Sequence, residues 1–184
     1  MVAHTPHAPP AERNRFGDVR FAILFLALFV VFQFSYSQAR GTVVERVAID
    51  HATVFPSAAL INLLTPCEQV RAEGHRLVSE RARLSVLNGC EGTEALLLLC
   101  AAILPFRAPW KQKLFGILLG GALVYAINQA RIVSLYYALR YDKGLFDAIH
   151  GYIGPTLIVI LACLFFLWWV RRIGNHADNP AQPA

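Results

Sequence analysis

Long apolar runs separated by short polar interruptions dominate the chain. Phe21–Tyr36, Leu114–Tyr137 and Ile149–Val170 are three such runs, and at about 1.5 Å per helical residue each covers much of a hydrocarbon core of roughly 30 Å. A fourth run, Ala95–Phe106, is shorter; it spans only if Gly92–Glu94 and the residues toward Trp110 extend it, or if the bilayer thins around it. Between the first two runs, Val44, Val47, Ala48, Phe55, Ala58 and Ile61 recur near a helical period opposite Glu45, Arg46 and Asp50. That spacing predicts an amphipathic helix lying on or against the membrane, bent near Pro56. After Pro66 the pattern changes: Glu73-Gly74 reads as a turn, and Leu84 and Val86 alternate with polar neighbours as in a strand. The pattern therefore predicts an all-α polytopic membrane protein with about four transmembrane helices, an outer-face amphipathic helix and a small β-hairpin leading to Cys90.

Composition agrees: of 184 residues 56% are hydrophobic and only 16% charged, and the mean hydropathy is positive, which sets the chain apart from an ordinary soluble domain. Phe21–Phe34, behind the basic stretch "ERNRFGDVR" and followed by the small residues of "SYSQA", also has the form of a cleaved secretory signal. The three later apolar runs favour a retained first helix. The net charge of +5 points to the lipid bilayer as partner rather than to nucleic acid, because the basic residues stand where membrane topology needs them.

Those basic clusters are Arg13, Arg15 and Arg20, then Arg107, Lys111 and Lys113, then Arg171 and Arg172. Short segments rich in Lys and Arg stay in the cytoplasm, and one orientation satisfies all three: both termini and the Arg107–Lys113 turn inside, with Ser37–Gly92 and Ala138–Ala148 outside. The expected organisation is a cytoplasmic tail (1–20), a first transmembrane helix (21–37), an outer loop with the helix and hairpin (38–92), a three-helix membrane core (93–170) and a cytoplasmic tail (171–184). Trp110 and the Trp168/Trp169 pair fall at the inner interface, where indole rings are favoured. The ends of the chain, Met1–Glu12 and Gly174–Ala184, are rich in Pro, Ala and His and are expected to be disordered.

Ionisable residues inside apolar segments are costly and mark cavities, partners or sites. Arg131 lies about six residues inside the outer end of the third run, with Asn128 about one turn deeper on the same face. A structural role for Arg131 is snorkelling to the headgroups, or pairing with Glu94 to hold two helices together. His150 opens the last run on the outer side, and Asp147, one turn earlier, is spaced to hold its imidazole. Cys90 precedes the second run on that same side, where a helix N-terminus and nearby cations favour a thiolate. Glu91 opposes this unless it turns away or meets an arginine. Cys100 and Cys163 read as small buried side chains, and Cys67 as a possible disulfide partner of Cys90. Thiolate attack on a carbonyl needs a proton acceptor and charge stabilisation at the oxyanion, roles that a histidine and an arginine serve. His4, His7, His75 and His176 have no second ligand at useful spacing and there is no glycine-rich phosphate loop, so nothing points to a metal or organic cofactor.

"NGCEG" with Cys90, "NQARI" with Arg131 and "IHGYIGP" with His150 resemble, in order and spacing, the exosortase/archaeosortase family of polytopic membrane transpeptidases, most of all its exosortase H subgroup, over roughly Val70–Val170. The resemblance implies that Cys90 attacks a peptide bond in the C-terminal sorting tail of a secreted protein (a PEP-CTERM type motif, a transmembrane helix and a basic end), forming a thioester that a second nucleophile resolves. It implies catalytic Cys90, Arg131 and His150, and a bacterial inner membrane with the site facing the periplasm. Asn128, Asp147 and Glu94 are candidate supporting residues. Two other functions are compatible with the residues: a membrane scaffold or transporter subunit with a polar path along Asn128, Arg131 and Glu94, and a thiol-disulfide carrier using Cys67 and Cys90.

Overall fold

The computed structural model describes residues 15–177. The tail 1–12 lies outside the described residues, whereas Gly174–Ala177 continues the last helix. In chain order the elements are α1 (Arg15–Gln38), α2 (Val43–Arg46), a π-helical stretch (Val47–Val54), α3 (Phe55–Leu64), strands β1 (Arg71–Glu73), β2 (Arg76–Val78) and β3 (Arg83–Ser85), then α4 (Thr93–Ile103), α5 (Trp110–Tyr141), α6 (Lys143–Ala148), a second π-helical stretch (Ile149–Ile153) and α7 (Gly154–Ala177). Among the described residues four helical stretches are long and apolar enough to cross a membrane: Phe16–Gln38, Val43–Leu64, Trp110–Tyr141 and Lys143–Gly174. The chain is a multi-pass membrane protein.

α4 is not one of those four. Its 11 residues rise about 16 Å, roughly half a hydrocarbon core. Gly92 at φ 80° marks its start and Pro105 stops its continuation just past Leu104. Lys113 Nζ reaches back to cap the freed Leu104 carbonyl at 2.6 Å.

Two apolar cores stack along α5. The first joins α4, the first half of α5 and α7 through Ala95, Leu99, Ile103, Val124, Ile158, Ala162, Phe165 and Trp169. α1 packs on α4 and is held by Phe21, whose ring stacks on Phe166 and meets Phe106 edge-on. The second core joins the far turns of α5 to the segment between α1 and α4 through Ile49, Val54, Ala58, Ile61, Val70, Leu77, Leu84, Val86, Ile132, Leu135 and Tyr136. The 32 residues of α5 span about 48 Å, longer than a bilayer is thick, so its far end is available for this second core. Trp169, expected as an interfacial anchor, is instead buried, its indole N–H donating to Gln112 O at 3.1 Å. Trp168 and Trp110 are exposed. Of the two cysteines expected to be buried, Cys100 is half-buried and Cys163 faces outward.

Val43–Leu64 is long enough to span, yet its partners hold it along the far half of α5. Pro56 has no N–H to give to the Ala52 carbonyl, and Gln129 Nε2 takes that carbonyl at 3.1 Å while Ser57 Oγ donates to Gln129 Oε1 at 2.7 Å. Thr65 and Tyr137 hydroxyls bond at 2.6 Å, two turns further along α5. A helix runs where the pattern predicts an amphipathic one, but with a different buried face and an outward side that is apolar too, carrying Leu60, Leu63 and Leu64. Ile49, Thr53, Val54, Ser57, Ala58 and Ile61 are buried, while Val44, Val47 and Phe55 are exposed. The wide turns of Val47–Val54, in which Phe55 N–H bonds Asp50 O, insert one residue into the period and rotate everything before them.

The expected hairpin is a three-stranded antiparallel sheet, β1-β2-β3, with Ala72 opposite Leu77 and Leu77 opposite Leu84. Three-residue strands are too short for alternation to reveal all of them. Leu77 and Leu84 fill the core beneath. The sheet is tied to α5 through Glu68, which is 3% exposed. Its carboxylate pairs with Arg140, with Arg81 at 3.4 Å and with Tyr136 Oη at 2.8 Å. The expected outer segment 138–148 is a helical hairpin: one residue, Asp142, separates α5 from α6, and its Oδ1 caps α6 by accepting from Gly144 N and Leu145 N.

Candidate active site

The two cores meet at the loop Leu87–Gly92, and Cys90 sits there with 8% of its surface exposed. The loop turns because Gly89 and Gly92 adopt φ 89° and 80°, which side chains with a Cβ rarely tolerate. A Cβ on Gly92 would also lie 2.9 Å from Asn128 Cγ. This close approach brings Asn128, itself 1% exposed, against the loop, and its Nδ2 donates to the Cys90 carbonyl at 3.1 Å.

Two elements converge on the Cys90 sulfur. From α5, Arg131 Nη2 donates to Sγ at 3.7 Å. From the π-helical stretch before α7, His150 Nδ1 stands 3.9 Å from Sγ. Arg131 is 8% exposed, so its guanidinium acts in a medium of low effective dielectric. Its Nε has no hydrogen-bond partner among the described residues. Arg131 can lie there because position 154 is glycine: a Cβ would stand 2.7 Å from Arg131 Nε and 2.7 Å from Ile149 O.

The Ile149–Ile153 π-helical stretch has a local cause. Pro155 supplies no N–H, and Gly154 N–H bonds Ile149 O, five residues back. His150 therefore leaves the helix from a widened turn. Phe146, one turn earlier, lies parallel to the imidazole, with ring centroids 5.6 Å apart and planes inclined by 4°.

The candidate residues divide cleanly by position. Cys90, Arg131, His150 and Asn128 come together. Asp147 is exposed and makes no bond to His150, and Glu94 is exposed and pairs with no cation among the described residues. Asp147 falls on the outward side of its helix, which i, i+3 spacing alone does not reveal. Cys67 is exposed, and all four cysteines are free. Glu91 turns away from the sulfur pair toward α1. It is 7% exposed, Tyr36 Oη donates to its Oε1 at 2.8 Å, and Oε2 has no partner among the described residues. Tyr36, Phe146 and Gly154 are the site neighbours that sequence reasoning missed. Only Gly154, inside the "IHGYIGP" stretch, carried a signal. Among the described residues no group of three His, Cys, Asp or Glu side chains is arranged to hold a metal ion.

A family model described as transmembrane exosortase matches residues 12–169. No curated protein and no solved structure matches the chain.

Proposed function

The chain belongs to the transmembrane exosortase family, and on that premise we propose that it is a cysteine transpeptidase with Cys90 as nucleophile, His150 as proton carrier and Arg131 as the stabilising cation. The observation that carries this reading is the placement of both Arg131 Nη2 and His150 Nδ1 within 4 Å of one buried sulfur. The thiol proton passes to His150, and the sulfur attacks the carbonyl carbon of the scissile peptide bond. Charge that develops on the carbonyl oxygen and on sulfur meets the Arg131 guanidinium. The C–N bond breaks as His150 returns the proton to the leaving amine, and a thioester remains on Cys90. A second nucleophile, an amine, hydroxyl or water, gives its proton to His150, attacks that carbonyl and releases the thiolate. Asn128 holds the Cys90 carbonyl, and therefore the loop, in register.

The site lies at the end of the bundle opposite Arg107, Lys111, Arg171 and Arg172. In the positive-inside orientation it faces the periplasm of a bacterial inner membrane, with both ends of the chain in the cytoplasm. The substrate is a secreted protein whose C-terminal sorting tail, of the PEP-CTERM type, ends in a transmembrane helix and basic residues. Such a tail lies in the bilayer beside the enzyme and presents its scissile bond at the outer rim.

The test is to express the parent, Cys90→Ala and Cys67→Ala in membranes with a tailed substrate and to follow processing and a hydroxylamine-sensitive adduct. Loss of both signals only in Cys90→Ala is expected. Normal processing by a well-expressed Cys90→Ala variant would refute the proposal.

A further inference from the structure

His150 is exposed, and its one hydrogen-bonding contact among the described residues is the 3.9 Å approach of Nδ1 to the Cys90 sulfur. A histidine in such a place normally needs a second group to keep it from turning to solvent, and a carboxylate is the common choice. The nearest carboxylate in sequence, Asp147, is exposed and takes no part. The group that does touch the ring is Phe146, parallel to it at a centroid distance of 5.6 Å. A near-parallel pair at that spacing is offset-stacked, the arrangement that aromatic quadrupoles favour. Phe146 is itself partly buried against the second core. One face of the imidazole is thus anchored to a packed side chain, and rotation of the ring away from Cys90 breaks that contact.

We propose that Phe146 is the positioning residue for His150, orienting the imidazole by stacking where a carboxylate would otherwise do so. Resting on the cysteine transpeptidase reading above, it adds a residue to that site and removes Asp147 from it. Stacking fixes the plane of the ring and leaves Nε2 without a protein partner among the described residues, open on the exposed side for proton exchange. It also leaves the ring with no carboxylate in contact, so that the Cys90 sulfur is its one polar contact among the described residues.

The experiment uses the full-length protein in membranes and compares Phe146→Leu, Phe146→Tyr, Phe146→Trp and Asp147→Asn with the parent. Two rates are read: processing of a tailed substrate, separated into kcat and KM, and alkylation of Cys90 by iodoacetamide without substrate. A stacked pair of this kind corresponds to a roughly 3- to 10-fold effect on orientation. Phe146→Leu is expected to lower kcat and the alkylation rate by about that factor with KM unchanged, Phe146→Tyr and Phe146→Trp to restore both, and Asp147→Asn to change neither. An unaltered Phe146→Leu enzyme, or an Asp147→Asn variant with the same loss, would overturn the proposal. So would equal losses in all three Phe146 variants, which would mark Phe146 as a packing residue only. If Phe146→Leu does not accumulate, Tyr and Trp against Asp147→Asn still decide: ring-retaining variants that lose activity sink the stack. A parent whose Cys90 forms no substrate adduct sinks the transpeptidase reading instead, while the alkylation rates report on the ring by themselves.

Discussion

Replacing Gly154 with alanine tests the site without touching any residue assigned to the chemistry. The new Cβ would lie 2.7 Å from Arg131 Nε, 2.8 Å from Arg131 Cδ and 2.7 Å from Ile149 O, against comfortable separations of about 3.5–4.0 Å. Something must move by about 0.8 Å or more. The turn that holds the Ile149 carbonyl on the Gly154 N–H must open slightly, and the flexible Arg131 side chain must give way with it. Its Nη2 already stands 3.7 Å from Cys90 Sγ, and a shift of that size away from the sulfur breaks the contact. Misplacement on this scale costs about 10- to 100-fold in rate, or about 1.4–2.8 kcal/mol of transition-state stabilisation. Overpacking adds about 1–3 kcal/mol of lost stability. The assay is tailed-substrate processing in proteoliposomes beside a thermal unfolding curve. Gly151→Ala is the control in the same turn, because a Cβ there meets nothing within 4 Å. A drop in kcat of at least tenfold for Gly154→Ala, with Gly151→Ala close to the parent, is expected. Parent-like turnover by Gly154→Ala, or equal losses in both variants, would refute the reasoning.

Other outcomes follow from the same geometry. Arg131→Lys keeps the charge but loses the planar fork, so turnover should fall by about tenfold or more with little change in Tm; an active lysine variant would show that charge alone suffices. Gln129→Ala strips buried partners from Ser57 and the Ala52 carbonyl and should destabilise the protein by about 1–3 kcal/mol, read as a lower Tm with residual activity at low temperature. Tyr136→Phe removes the hydroxyl shared by Glu68 and Ser79 and should lower stability by about 1–3 kcal/mol; because Tyr136 lies in the second core, proteolysis between β1 and β3 should rise before α1 or α7 is cut. Glu94→Gln should leave processing within about twofold of the parent, since an exposed carboxylate with no cation in contact contributes little.

Much of the architecture is legible in the chain because bilayer insertion depends on apolar length, and length is written in consecutive residues. The runs at Phe21–Tyr36, Leu114–Tyr137 and Ile149–Val170 became α1, α5 and α7, with their basic flanks on one side. Cys90, Arg131 and His150 were expected at one level from topology alone, since each stands near the same end of an apolar segment. Helical rotation is what the sequence leaves open. Asp147 satisfied the spacing yet is exposed, Glu94 is exposed and pairs with no cation among the described residues, and the buried face of Val43–Leu64 turned once the π-helical stretch added a residue to its period. The three-stranded sheet, the Glu68 pairing with Arg81 and Arg140, the turn of Glu91 toward Tyr36 and the stack of Phe146 on His150 were decided by tertiary structure. The Glu68 and Glu91 contacts depend on where a side chain points after separate segments meet, and a contact across 55 residues, such as Tyr36 with Glu91, has no period to betray it; the Phe146–His150 stack is local, and what decides it is ring orientation. The sequence by itself thus determined the long apolar helices and the end of the bundle at which Cys90, Arg131 and His150 lie. Only packing decided which neighbours of Cys90 face it, because apolar burial is non-directional whereas hydrogen bonds and ring stacking depend on angle.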